Sequence, residues 1–134
     1  MIRTLLVDDD EAILQLFRTV LELSDFTVDT AKSAAEALVE LSAKSYEIVI
    51  SDLRMETSTA GFDVVRAAVQ HSPRPLVVLV TAYPVPASEW RKSGADALYV
   101  KGANTLALPE QLKSLLHQTQ RVQPAAQASL RRNR

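Results

Sequence analysis

The chain of 134 residues has no cysteine, which excludes disulfides, thiolate nucleophiles and cysteine-ligated metals. Long hydrophobic stretches are missing too. The longest apolar run, Leu76–Val80, has five residues, against the roughly 20 a membrane-spanning helix needs. The first seven residues place one arginine before a short apolar stretch with no cleavage site, so no secretory leader is expected and a cytoplasmic location is. Residues 121–134 lack any acid and carry four arginines, Arg121, Arg131, Arg132 and Arg134. The remaining body holds 11 basic and 16 acidic residues, a net charge of −5 that argues against nucleic-acid binding by the domain itself. The two histidines, His71 and His117, have no partner at metal-ligand spacing and read as unrelated surface residues. What is present is globular: 47% apolar and 23% charged residues in a length suited to one domain.

Short apolar runs alternate five times with amphipathic segments. Strands are expected at Thr4–Val7, Thr27–Asp29, Ile48–Ser51, Leu76–Val80 and Ala97–Val100. Leu5-Leu6-Val7, Ile48-Val49-Ile50 and Leu76–Val80 show no polar alternation, the pattern of strands buried on both faces of a parallel sheet. A first helix is expected to start near Asp10, with Ile13, Leu16, Phe17, Val20 and Leu21 on its inner face. Ser33 and Glu36 form a capping box for a second, with Ala37, Leu38 and Leu41 inward. Gly61 precedes a third that carries Val64, Val65, Ala68 and Val69. A short fourth covers Ala87–Ser93 and ends at Gly94, and Pro109 sits in the first turn of a fifth, where Leu112, Leu115 and Leu116 share a face. This is an α/β chain of the flavodoxin-like (βα)5 kind, a doubly wound parallel sheet with strand order 2-1-3-4-5. The domain is expected over residues 1–121, with 122–134 a disordered basic tail or the stub of a linker.

Polar residues of particular kinds follow four of the five strands: Asp8 and Asp9, Asp52, Thr81, and Lys101. In such a sheet ligands bind beyond the carboxyl ends of the strands where the strand order reverses, here between the first and third strands. Singly, each has an ordinary explanation. Asp10 can cap the first helix, Asp52 can be a turn residue, Thr81 a strand-end hydroxyl and Lys101 a solvated amine. Jointly they form one crevice of three carboxylates, a hydroxyl and an ammonium. Carboxylates held close repel one another unless a cation joins them. Such oxygen ligands suit Mg²⁺, which keeps several waters and binds phosphate oxygens. Phosphoryl transfer to a carboxylate needs a nucleophile, a metal and donors for the phosphoryl oxygens. Asp52, Asp8 with Asp9, and Thr81 with Lys101 supply the three in turn.

The blocks Leu5-Leu6-Val7-Asp8-Asp9-Asp10, Ile48–Met55, Val80-Thr81-Ala82 and Tyr99-Val100-Lys101 resemble the signature blocks of response-regulator receiver domains, the phosphoacceptor modules of two-component signalling typified by chemotaxis receivers. The resemblance covers residues 2 to about 120. It implies that Asp52 is the phosphoacceptor and that Asp9 and Asp52 ligate Mg²⁺ directly together with the backbone carbonyl of Arg54. Asp8 would act mostly through water, and Thr81 and Lys101 would meet the phosphoryl group. A sensor histidine kinase or a histidine phosphotransfer protein is the implied donor, and switched protein–protein contacts are the implied output. The resemblance makes the chain no dedicated enzyme, although it assists its own phosphorylation and dephosphorylation. The face built from the fourth helix, fifth strand and fifth helix is the implied contact surface, a route to homodimers included.

The chain departs from the family pattern at several positions. Leu98 stands where an aromatic switch residue is usual, and Tyr99 is one residue later, pointing to the other face. Gly102 replaces the usual proline after Lys101, so the loop Gly102–Thr105 is expected to be looser. Glu56 replaces the proline usual after Met55, and the stretch to Gly61 is about one residue longer than usual. Arg54 and Tyr83 are large residues at positions that flank the path of attacking water, so slow loss of the phosphoryl group is expected. Trp90 is expected to pack. Two rival functions remain open: a degenerate receiver acting as a phosphorylation-independent interaction module, and a haloacid-dehalogenase-type phosphatase. The second would make Asp8 the nucleophile and leave Asp52 unexplained. No output domain is expected within these residues, so the chain is expected either to act alone through protein contacts or to be part of a longer regulator.

Overall fold

The computed structural model describes residues 1–102 and 104–119. The expected tail over 122–134 lies outside the described residues. The five strands are β1 (Ile2–Val7), β2 (Phe26–Ala31), β3 (Ile48–Asp52), β4 (Leu76–Thr81) and β5 (Ala97–Val100). Between them run α1 (Glu11–Glu22), α2 (Ala34–Ala43), α3 (Ala60–Val69) and α4 (Ala87–Lys92). A 3-10 turn, Thr105–Ala107, leads into a last helix, α5, over residues 108–119. All strand pairs are parallel and the order is β2-β1-β3-β4-β5, as the sequence pattern predicts.

The uninterrupted apolar runs are buried from both sides. Leu5, Val7, Val49, Val77 and Leu79 pack with Ala37, Leu41, Val64 and Val65 under α2 and α3. Their strand neighbours Leu6, Ile48, Ile50, Val78 and Val80 pack with Leu14, Phe17, Leu21 and Leu112 under α1 and α5. Period-two alternation across a sheet covered on both faces requires this division. Leu98 and Tyr99 divide the same way, Leu98 toward the α2–α3 side and Tyr99 toward the α1–α5 side. Trp90 packs against the α2–α3 layer, as expected, with the Arg91 guanidinium 5.2 Å from its ring centroid.

Three expectations are corrected. Leu16 is 49% exposed, and Leu14 takes the inward place beside Phe17 and Leu21. Each helical residue turns roughly 100°, and Leu16 lies one such step off Phe17 on the side away from Leu14. Leu38 is 44% exposed for the same reason, because α2 packs through the stripe of Ala34, Ala37 and Leu41. Gly61 lies inside the first turn of α3 instead of before it. A Cβ at Gly61 would stand 2.4 Å from the Asp52 carbonyl oxygen and 2.5 Å from the Leu53 Cα. Glycine is required there because helix and strand end touch backbone to backbone.

Candidate functional site

Parallel pairing brings all five strand ends to one rim. Val7 is level with Ala31 and Ser51, Asp52 with Val80, and Thr81 with Val100. Backbone bonds carry the alignment past the strands. The Asp8 amide donates to the Ala31 carbonyl at 3.1 Å, Leu53 to Val80 at 3.1 Å and Lys101 to Thr81 at 2.7 Å. Asp8, Asp9, Asp52, Thr81 and Lys101 therefore meet where the sequence reading puts them. Asp10 does not join them. Its side chain caps α1, accepting from the amides of Ala12 at 2.9 Å and Ile13 at 3.4 Å.

One carboxylate oxygen each from Asp8, Asp9 and Asp52 lies within 4.8 Å of the other two. Oxygen ligands about 2.1 Å from a small divalent ion stand roughly 3 to 4.2 Å apart, so small side-chain movements would let this set hold one. Asp8 and Asp52 are buried, and Asp9 is exposed. The Lys101 ammonium bridges the two buried acids, 2.8 Å from Asp8 Oδ2 and 3.2 Å from Asp52 Oδ2. The other oxygen of Asp8 accepts from the Asp10 amide at 2.9 Å. Three carboxylates thus face one ammonium, an excess of negative charge that draws a cation.

Electrostatics follow from that crowding. Burial pushes the Asp52 carboxyl above its ordinary value, and the charge of Asp8 adds to the shift while Lys101 opposes it. Burial alone would lower the Lys101 ammonium. Its hydrogen bond to Asp8 and the charges of Asp52 and Asp8 outweigh that cost and hold it above its ordinary value. Thr81 is buried at 3% exposure, and its Oγ1 accepts from the Tyr83 amide at 3.3 Å. Arg54 and Tyr83 are both exposed at the lip, Tyr83 at 69%. Neither His71 nor His117 joins an acidic cluster among the described residues.

The sequence reading missed one contact beside the site. Glu56, noted only as a departure from the family pattern, reaches from the β3–α3 loop to the start of α2, where its two carboxylate oxygens accept from the Ala34 amide at 3.0 and 3.3 Å. No local spacing reports a contact between residues 22 positions apart.

This sheet and this acid–hydroxyl–ammonium set define a signalling receiver. The family profile described as response regulator receiver domain matches residues 4–113, and the chain belongs to that family. The alginate biosynthesis transcriptional regulatory protein AlgB of Pseudomonas putida is 36% identical over 107 residues, 80% of this chain and 22% of that protein. The C4-dicarboxylate transport transcriptional regulatory protein DctD of Rhizobium meliloti is 40% identical over 78 residues, 58% of this chain and 17% of that protein. The chain therefore spans about a fifth of the length of these curated relatives. The response regulator TrrA of Thermotoga maritima, solved in complex with Mg²⁺ and BeF, superposes with a TM-score of 0.76 at 31% identity, covering 86% of this chain and 99% of that one. A CheY-like receiver domain of Methanospirillum hungatei gives 0.81 at 27% identity over 90% and 98% of the two chains. Among the described residues no helix is long and apolar enough to cross a membrane.

Proposed function

We propose that this receiver is a phosphorylation switch whose phosphoacceptor is Asp52 and whose resident metal is Mg²⁺. The observation that supports it is the meeting of Asp8, Asp9 and Asp52 within one ion's reach, with the Lys101 ammonium on Asp52 itself. Asp9, Asp52 and the backbone carbonyl of Arg54 would hold the metal, with Asp8 acting mostly through water. Bound there, the ion offsets the negative charge of incoming phosphoryl oxygens.

The donor is a phosphohistidine on a sensor histidine kinase or phosphotransfer protein. The phosphorus–nitrogen bond breaks as an Asp52 carboxylate oxygen bonds to phosphorus, and the imidazole nitrogen leaves with the electron pair. The Thr81 hydroxyl and the Lys101 ammonium donate to the phosphoryl oxygens, where fixed donors count most. Hydrolysis reverses the state: water attacks phosphorus, inorganic phosphate departs and the Asp52 carboxylate is restored. The domain assists both steps without being a dedicated enzyme. Its output is a change of protein–protein contacts in the cytoplasm, homodimer contacts through α4, β5 and α5 among them. The phosphatase alternative falls with membership of the receiver family, and the complete acid, hydroxyl and ammonium set disfavours an inert module.

Acetyl phosphate or beryllofluoride with Mg²⁺ tests the reading by intact mass. Wild type is expected to gain one acid-stable, base-labile phosphoryl group from acetyl phosphate. Asp52→Asn should gain none, and Asp8→Asn should gain it more slowly. An adduct that survives Asp52→Asn would end the proposal.

A further inference from the structure

The loop that carries the Arg54 carbonyl is held mainly by itself. The Met55 amide donates to the Thr57 carbonyl at 3.1 Å, and the Thr59 amide donates to Thr57 Oγ1 at 3.3 Å. At its far end the Gly61 amide donates to the Leu53 carbonyl at 2.8 Å. Among the described residues, the one side-chain hydrogen bond from residues 54–59 to another element is that of Glu56 to the Ala34 amide.

That amide is one of the donors a helix start leaves unpartnered. Two amides beside it are served locally. Ser33 Oγ accepts from the Glu36 amide at 3.1 Å, and Glu36 Oε2 accepts from the Lys32 amide at 3.0 Å. The first amide of the helix is left for a carboxylate from elsewhere, and the positive end of the helix dipole favours one. The bond is charge-assisted and fastens the loop to an element rooted in the core through Ala37 and Leu41.

We infer that Glu56 is a positioning residue for the metal-binding lip: by bonding the Ala34 amide it fixes the loop that carries the Arg54 carbonyl, the proposed backbone ligand. This rests on the proposed Mg²⁺ site. Its effect reaches the ion only through the loop, as partners behind a metal ligand do, and removing such partners costs about tenfold or more in metal affinity. Glu56 is exposed, so its replacement leaves the core untouched.

Calorimetric titration of MgCl₂ into the full chain, paired with amide hydrogen exchange at Ala34, tests it. Glu56→Ala is expected to bind Mg²⁺ about tenfold more weakly than wild type and to lose protection at Ala34. Glu56→Gln, whose amide oxygen still accepts, should stay within about twofold of wild type and keep that protection. Both variants remove the same charge, so the difference between them isolates the bond. Unchanged Mg²⁺ affinity in Glu56→Ala would overturn the inference, as would Glu56→Gln binding as weakly as Glu56→Ala while Ala34 stays protected. A wild-type chain that binds no Mg²⁺ would instead overturn the metal site, and the positioning role with it.

Discussion

The two flanks of the crevice are built differently. On the β1–β2 flank both helix starts are closed by side chains, α1 by Asp10 and α2 by Ser33. Lys32 adds an ion pair to Glu11 at 3.3 Å, and Glu56 adds its bond to Ala34. On the β4–β5 flank neither α4 nor the 3-10 turn after β5 has a side-chain cap, α4 has no fully buried residue, and β5 is only partly covered. The flank holding Asp8 and Asp9 is tied down at the crevice, whereas the flank bearing Thr81 and Lys101 meets the acids through the Lys101 ion pairs. Its other side-chain ties, Arg74 with Asp96 and Gly94 and Asp96 with the Val77 amide, lie at the opposite end of β4 and β5. Moving parts of switches come from the less stable end of a structure. Under the proposed function, the tied flank is the one that holds the metal and the looser flank the one that responds.

The sharpest way to break this contrast is to cut the tie across the crevice. Lys101→Met leaves Asp8 and Asp52 buried side by side with no cation. Removing one partner of a buried ion pair costs about 3 kcal/mol or more. Urea melts should show a loss of that order without metal, and saturating Mg²⁺ should restore most of it by taking over the charge. A loss unchanged by Mg²⁺ would mean that the lysine is structural and not part of the charge balance of the site.

Gly61→Ala attacks the floor of the site. Its methyl group would meet the Asp52 carbonyl oxygen and the Leu53 backbone, which cannot swing away as a side chain would. A cost of about 1–3 kcal/mol is expected from such overpacking, with the strand end that carries Asp52 displaced. Thermal melts read the first effect and the rate of phosphorylation by acetyl phosphate reads the second. A variant with wild-type values for both would show that α3 can retreat freely.

Capping gives a smaller and more direct comparison. Ser33→Ala removes a bond to the Glu36 amide and should cost about 1 kcal/mol. Thr59→Ala, at the start of α3 where no side-chain cap bond exists, should cost about 0.5 kcal/mol or less. Equal costs in denaturant melts would remove the distinction between the helix starts.

Those contrasts also mark what could be read from the chain alone. Runs such as Leu76–Val80 identify a doubly covered parallel sheet, and the placement of Asp8, Asp52, Thr81 and Lys101 after their strands brings the site together without any knowledge of distances. Helix faces were less legible. Apolar residues ring α1 so widely that Leu14 and Leu16 compete for the inward place, and only the sheet beneath decides. Gly61 announced a special backbone, but a glycine before a helix and a glycine pressed on a strand look alike in sequence. Glu56 was illegible for another reason. Its partner is a backbone amide on a different element, and every residue type except proline offers that donor.

The mildest test lies on the tied flank away from the crevice. The Tyr46 hydroxyl donates to Asp29 Oδ2 at 2.8 Å, and Lys44 Nζ stands 3.0 Å from the same oxygen. Burial pushes the Asp29 carboxyl up, but the hydrogen bond from Tyr46 and the proximity of Lys44 outweigh it, and the net shift is downward from 3.8. A carboxyl whose folded value is lowered contributes stability that is present above its unfolded value and lost as pH falls through the folded one. Tyr46→Phe should therefore cost about 1 kcal/mol near neutral pH. The deficit of Asp29→Asn against wild type should shrink as the pH drops below 3.8. Melts across that range decide it. A deficit that persists in acid would mean that β2 and α2 are joined there by packing alone, and the tied flank would owe its order to burial instead of to its side-chain bonds.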